Sequence, residues 1–154
     1  MNPLLQNWAI VERTAAMRDQ LLASLTDAEL NHTLGGQTHA LRELYREQGA
    51  WQMAYIESFK TGKMSFVPPA VDPAHINSVT HIANWFQALD KEFKTVIDSL
   101  PDPNTLIDAA YMQLPAAVWL MTYRETLLIL VSKLSIYFRS MGKPLPQQVI
   151  EWIG

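Results

Sequence analysis

The segment from Ala116 to Met141 constrains the fold more than any other part of the chain. Pro115 stands before it and Gly142 after it, so it reads as one long helix with a clean start and stop. At about 100° per residue its apolar side chains fall into two stripes. Trp119, Leu120, Tyr123, Leu127, Leu130, Leu134, Tyr137, Phe138 and Met141 form a broad face, and Val118, Ile129 and Ile136 a second, narrower one. A helix that is apolar on two sides packs on two sides. Arg124, Glu125, Lys133 and Arg139 interrupt it, whereas a membrane span needs roughly 20 apolar residues with few or no charges. The segment is therefore read as a deeply buried bundle helix. Its narrow stripe, with Leu128, is the seam expected for a homodimer; coverage by the N-terminal helix or the C-terminal tail is the other way to bury it.

Three more amphipathic helices precede it. The first starts at Pro3 and carries Leu4, Trp8, Val11, Ala15, Leu22 and Leu25, widened by Leu5 and Leu21. Thr26 and Glu29 have capping-box spacing and open a short extra turn. The second is expected to start at Thr33, with Gly35 and Gly36 in its first turn, and to run to Lys60. Its core face is Leu41, Leu44, Tyr45, Gln48, Trp51, Tyr55 and Phe59. Gly62 suits a left-handed cap. Pro68, Pro69 and Pro73 make 62–77 a loop, in which Val67 is expected to cross the bundle in extended form. The third helix runs from Ser78 to before Pro101 on Ile82, Trp85, Phe86, Leu89, Phe93, Val96, Ile97 and Leu100. Residues 104–114 read as a second loop, and the tail from Pro144 as an amphipathic turn folding back Val149, Ile150 and Trp152. No strand pattern, repeat or low-complexity tract is visible, so residues 1–154 are read as a single all-α domain, a four-helix bundle.

Composition removes several functions. With no cysteine, disulfides, thiol nucleophiles and thiolate metal sites are excluded. Twelve Lys and Arg against fifteen Asp and Glu leave a net charge of -3, unsuited to gripping nucleic acid. Charged residues are 18% of the chain, below the usual ~25%, which fits burial on more than one side. The N-terminus carries no secretory pattern, and a cytoplasmic protein is expected. Gly35-Gly36 follows no strand and precedes no Lys-Ser/Thr, so no phosphate loop is read there.

Two segments carry a resemblance. Thr33-Leu34-Gly35-Gly36-Gln37-Thr38-His39-Ala40-Leu41-Arg42-Glu43-Leu44 opens the second helix, and Tyr137-Phe138-Arg139-Ser140-Met141-Gly142-Lys143-Pro144 closes the fourth. Together they resemble the DinB/YfiT-like superfamily of four-helix bundles over nearly the whole chain. Tyr55-Ile56-Glu57-Ser58-Phe59-Lys60-Thr61 and Glu151-Trp152-Ile153-Gly154 look most like an uncharacterised bacterial branch. The resemblance implies a divalent metal on three histidines, one on the second helix and two on the fourth, linked to thiol-dependent transfer and hydrolysis. A spacing of four puts two imidazoles on one helix face, where they can share an ion. This chain has no histidine after His81. Registered on Tyr137-Phe138-Arg139 and Gly142, the fourth-helix ligand positions hold Thr126 and Leu130, and the second-helix position holds Ala40. No metal and no cofactor are therefore expected.

The remaining chemistry reads in two ways. Glu47, Trp51, Tyr55, Trp119, Tyr123, Thr126, Lys133 and Tyr137 either line an aromatic and hydroxyl-bearing pocket for a small ligand or form a packed aromatic core. Glu47 lies near the core edge, where Arg124 or Lys133 is the candidate partner for a buried carboxylate. His39 and Glu43, four apart, form a surface pair or half of a rebuilt metal site. His32, His75 and His81 read as solvated loop and first-turn residues. The expected protein is a non-metallo homodimer that binds a small molecule or a protein partner. The enzymatic alternative is a divergent transferase or hydrolase using Glu47, Tyr123 and Lys133.

Overall fold

The computed structural model describes residues 3–100 and 102–154. Four long helices make the frame: α1 (Pro3–Ala23), α2 (Leu41–Thr61), α3 (Val79–Ser99) and α4 (Ala116–Ser140). A short α5 (Gln147–Ile153) follows. The helix α1 packs on α3 and α4, and α2 packs on the same two, so the order around the bundle is α1, α3, α2, α4. Two seams matter below, α2/α4 on one side and α1/α3 directly opposite. Among the described residues no helix is long and apolar enough to cross a membrane.

The helix signals act as their chemistry requires. Thr26 and Glu29 form the reciprocal capping box, the Thr26 N–H donating to Glu29 Oε2 at 2.8 Å and the Glu29 N–H to Thr26 Oγ1 at 3.3 Å. It opens a 3₁₀ turn over Glu29–Asn31. Gly62 ends α2 with φ 73°. Ser78 caps α3 by accepting the His81 N–H at 3.1 Å. The core gathers the broad face of α4, from Trp119 to Phe138, with Leu4, Trp8 and Val11 of α1 and Ile82, Phe86, Phe93 and Ile97 of α3. Gly49, in mid-α2, marks a close approach of α3, because a Cβ there would lie 2.0 Å from the Trp85 ring.

Four expectations are corrected. Helix α2 begins at Leu41, not Thr33, because Gly35 (φ 90°) and Gly36 (φ 58°) take left-handed conformations that no helical first turn contains. Residues 104–114 contain an antiparallel hairpin, β1 (Leu106–Asp108) on β2 (Gln113–Pro115), with Leu106 opposite Pro115 and Asp108 opposite Gln113. Strands of three residues are too short to show a period of two. Val67 is 81% exposed and does not cross the bundle. In the tail only Val149 is buried, whereas Ile150 and Trp152 stay exposed.

Candidate functional site

A groove of about 260 Å³ opens between α2 and α4. Leu44, Glu47, Gln48, Trp51 and Tyr55 line it from α2, and Thr126, Ile129, Leu130 and Lys133 from α4. These sets follow from helical spacing: 44, 48, 51 and 55 share one face of α2, as 126, 129, 130 and 133 share one face of α4. The walls are mostly apolar. At the floor the Gln48 Nε2–H donates to Thr126 Oγ1 at 3.0 Å. The Thr126 hydroxyl donates back along its own helix to the Tyr123 carbonyl at 2.7 Å. Tyr55 hydrogen-bonds Thr122 Oγ1 at 3.2 Å, and burial keeps its phenol above the ordinary tyrosine range. A second, more polar groove lies beyond Glu47 and Trp51, lined also by His39, Glu43, Arg46 and Pro68.

The pocket residues expected from the sequence divide into two groups. Glu47, Trp51, Tyr55, Thr126 and Lys133 line the α2/α4 groove; Trp119, Tyr123 and Tyr137 do not. Trp119 is buried against Tyr55, centroids 5.1 Å apart, and its indole N–H donates to Ser58 Oγ at 3.0 Å. Tyr137 donates to the His39 carbonyl at 2.6 Å, tying α4 to the entry of α2. Tyr123 packs between Tyr55 and Phe93, with its hydroxyl enclosed in the core. Glu47 is exposed and Arg124 turns to Thr14 on α1, so the buried Glu47 pair does not form. Glu47, Tyr123 and Lys133 consequently do not converge on one point.

The histidines are also redistributed. Glu43 is held by Arg46 rather than by His39. His75 stacks flat on Trp85 at 5.0 Å, and His32 hydrogen-bonds Ser140 Oγ at 2.8 Å, so neither is simply solvated.

Sequence reasoning passed over the polar group behind the groove. Arg18 of α1 is fully buried. Its Nη2–H donates to Asp90 Oδ2 of α3 at 2.7 Å and its Nε–H to Asp19 Oδ1 at 2.8 Å, while the guanidinium lies 4.1 Å from the Phe86 ring centroid. Gln52 Nε2–H donates to Asp90 Oδ1 at 2.7 Å. Burial pulls Arg18 down, but Asp90, Asp19 and Tyr123 outweigh it and the net shift is upward. Tyr45 and Tyr123 are buried near this charge; the Tyr45 hydroxyl has no hydrogen-bond partner, and the Tyr123 hydroxyl lies against Gln48. Desolvation raises both phenols against the opposing pull of Arg18, so both stay neutral. A band of polar side chains thus crosses the bundle from Asp90 at the α1/α3 seam to Thr126 at the α2/α4 seam. Spacing carried the missing signal: Arg18 is three residues after Ala15 and four before Leu22, inside the buried stripe of α1.

No family model matches the sequence, and no curated protein matches it. Solved structures do. A DinB-like protein of Bacillus subtilis, YjoA, superposes with a TM-score of 0.73 at 13% identity, over 93% of this chain and 97% of its own. The chain has the DinB-like fold. A DinB-like protein from Bacillus cereus gives 0.71 at 18% identity, over 93% of each chain.

Within this DinB-like bundle the histidine triad implied by the resemblance can be tested on the residues present. Thr126 and Leu130 sit together on the groove face of α4. The residue facing them from α2 is Gln48, not Ala40, which is the extended N-cap of α2. The eight-residue difference is about two helical turns. An amide, a hydroxyl and an alkane supply no imidazole and no anionic donor, so this set does not fit a tightly held divalent transition metal. Among the described residues no three His, Asp or Glu side chains come together elsewhere.

Proposed function

We propose that this DinB-like protein is a small-molecule-binding protein whose α2/α4 groove takes its ligand directly, without a metal. The observation that carries the reading is the Gln48–Thr126 hydrogen bond over Leu130 at the floor of an open, largely apolar groove. Amphipathic ligands bind such concave sites through apolar walls and a few placed polar groups. A ligand at about one hundred times its Kd stabilises the fold by about 2.7 kcal/mol, so a thermal-shift screen of small amphipathic molecules detects it. Ile129→Trp, an exposed change at the rim, should abolish a shift that survives chelator. A shift that appears only with added nickel or zinc would contradict the reading.

The outer stripe of α4 supports a second copy of the chain as partner. Val118, Ile129 and Ile136 are 46%, 56% and 56% exposed along one helix line. A single apolar stripe is self-complementary about a two-fold axis perpendicular to it, which suits an isologous pair. Sedimentation velocity of the wild type should show a dimer, and Val118→Glu with Ile136→Glu, both away from the groove floor, should return it to monomer.

A further inference from the structure

The ligand's chemical class follows from accounting for every hydrogen-bonding group that faces the α2/α4 groove, given that the groove is a ligand site as proposed above. The Thr126 hydroxyl proton is committed to the Tyr123 carbonyl, so Thr126 accepts from Gln48 and the amide orientation is fixed with Nε2 toward Thr126. The buried Tyr123 hydroxyl lies against Gln48, so the other end of the amide is engaged on the core side. The Thr122 hydroxyl proton is committed to the Trp119 carbonyl at 2.7 Å, so Tyr55 donates to Thr122 and keeps acceptor lone pairs. The α2 wall therefore offers the Tyr55 oxygen as an acceptor, and the Glu47 carboxylate stands at the α2 rim. The opposite rim on α4 carries one cation, Lys133. Neither Glu47 nor Lys133 has an ion-pair partner among the described residues, while the neighbouring Glu43 and Arg46 neutralise each other. Between the two rims lie Leu44, Trp51, Ile129 and Leu130.

A groove with an anion at one rim, a cation at the other and apolar walls selects a molecule that carries one charge of each sign and an apolar group. We propose that the α2/α4 groove binds a small zwitterion with a large apolar side group, of the class of a free aromatic or branched-chain α-amino acid. The ammonium goes to Glu47, the carboxylate to Lys133, and the side group lies against Trp51, Ile129 and Leu130. The volume of about 260 Å³ suits one such molecule and excludes a long peptide.

Titration calorimetry with L-phenylalanine, 2-phenylethylamine, 3-phenylpropanoate and 2-phenylethanol tests this, since the four share a ring and differ in charge. L-phenylalanine should bind tightest. Glu47→Gln should weaken L-phenylalanine and the amine about fivefold and leave the acid unchanged; Lys133→Gln should weaken L-phenylalanine and the acid about fivefold and leave the amine unchanged. Both substitutions are at exposed positions, so folding is retained. If the amine, the acid or the alcohol binds as tightly as L-phenylalanine, and Ile129→Trp blocks it, the zwitterion assignment is overturned while the groove remains a ligand site. If none of the four binds, the zwitterion assignment falls, and the thermal-shift screen of other amphipathic molecules decides whether the groove is a ligand site.

Discussion

Arg18 shows how one residue organises the interior. A guanidinium removed from water needs its charge matched, and Asp90 from α3 and Asp19 from α1 match it while Phe86 covers its face. Arg18→Met strands Asp90 and Gln52 beside an apolar chain, and urea denaturation should show a loss of about 3 kcal/mol. Replacing both partners, Arg18→Met with Asp90→Leu, should recover a good part of that loss, because no unpaired charge is left. The buried Tyr45 hydroxyl is the opposite case. It has no hydrogen-bond partner, so Tyr45→Phe should cost less than about 1 kcal/mol or stabilise the fold. The residues that form the apolar stripes were legible in the sequence because burial follows a 3.6-residue period. Arg18 was passed over because its charge argues for solvent, and only its partner on another helix, far along the chain, reverses that argument. The same long-range dependence hid the place of Gln48 opposite Thr126, which ungapped registration had assigned to Ala40.

At the level of elements, the helix pairs are held by a few contacts with little tolerance. Gly49 lets α2 approach α3 until the Trp85 ring fills the place of a side chain. Gly49→Ala should destabilise by about 3 kcal/mol in chemical denaturation, and adding Trp85→Leu should make the pair less damaging than the sum of the single changes. The turn after α1 is tied to the end of α4 by Lys143, whose ammonium donates to Glu29 Oε2 at 2.7 Å. That hydrogen bond, with the Thr26 N–H, holds the Glu29 carboxyl below its usual value. A carboxylate depressed in the folded state adds stability above its unfolded pKa of about 4.3 and loses it as pH falls through the folded value. Stability curves of wild type and Glu29→Gln should therefore separate above about pH 4.3 and merge on further acidification. The capping box, the Gly62 cap and the four helices themselves were readable from local chemistry. The start of α2 was not, because a pair of glycines fits a first helical turn or a left-handed loop equally well by composition. The 106–115 hairpin was hidden by its shortness.

The whole molecule is a DinB-like bundle with a groove at the α2/α4 seam. In the ring α1, α3, α2, α4, that groove is floored by Gln48, Thr126 and Leu130, and a second groove lies opposite, at the α1/α3 seam, bordered by Asp19 and Asp90. Five of the eight residues expected together, Glu47, Trp51, Tyr55, Thr126 and Lys133, share the groove because residues at helical spacing on α2 and α4 share faces. The other three, Trp119, Tyr123 and Tyr137, turn inward, since a few tens of degrees about a helix axis separate a groove wall from a core position. At the floor, Gln48, Thr126 and Leu130 stand where the resemblance implies histidines. The direct measurement is the mapping of amide shifts by NMR as a small amphipathic ligand is titrated into untagged protein with a chelator present. Saturable shifts concentrated at Leu44, Gln48, Trp51, Thr126 and Ile129, unchanged when the chelator is omitted, are the expected result. Shifts scattered over the surface, or shifts at these residues only after zinc or nickel is added, would contradict it.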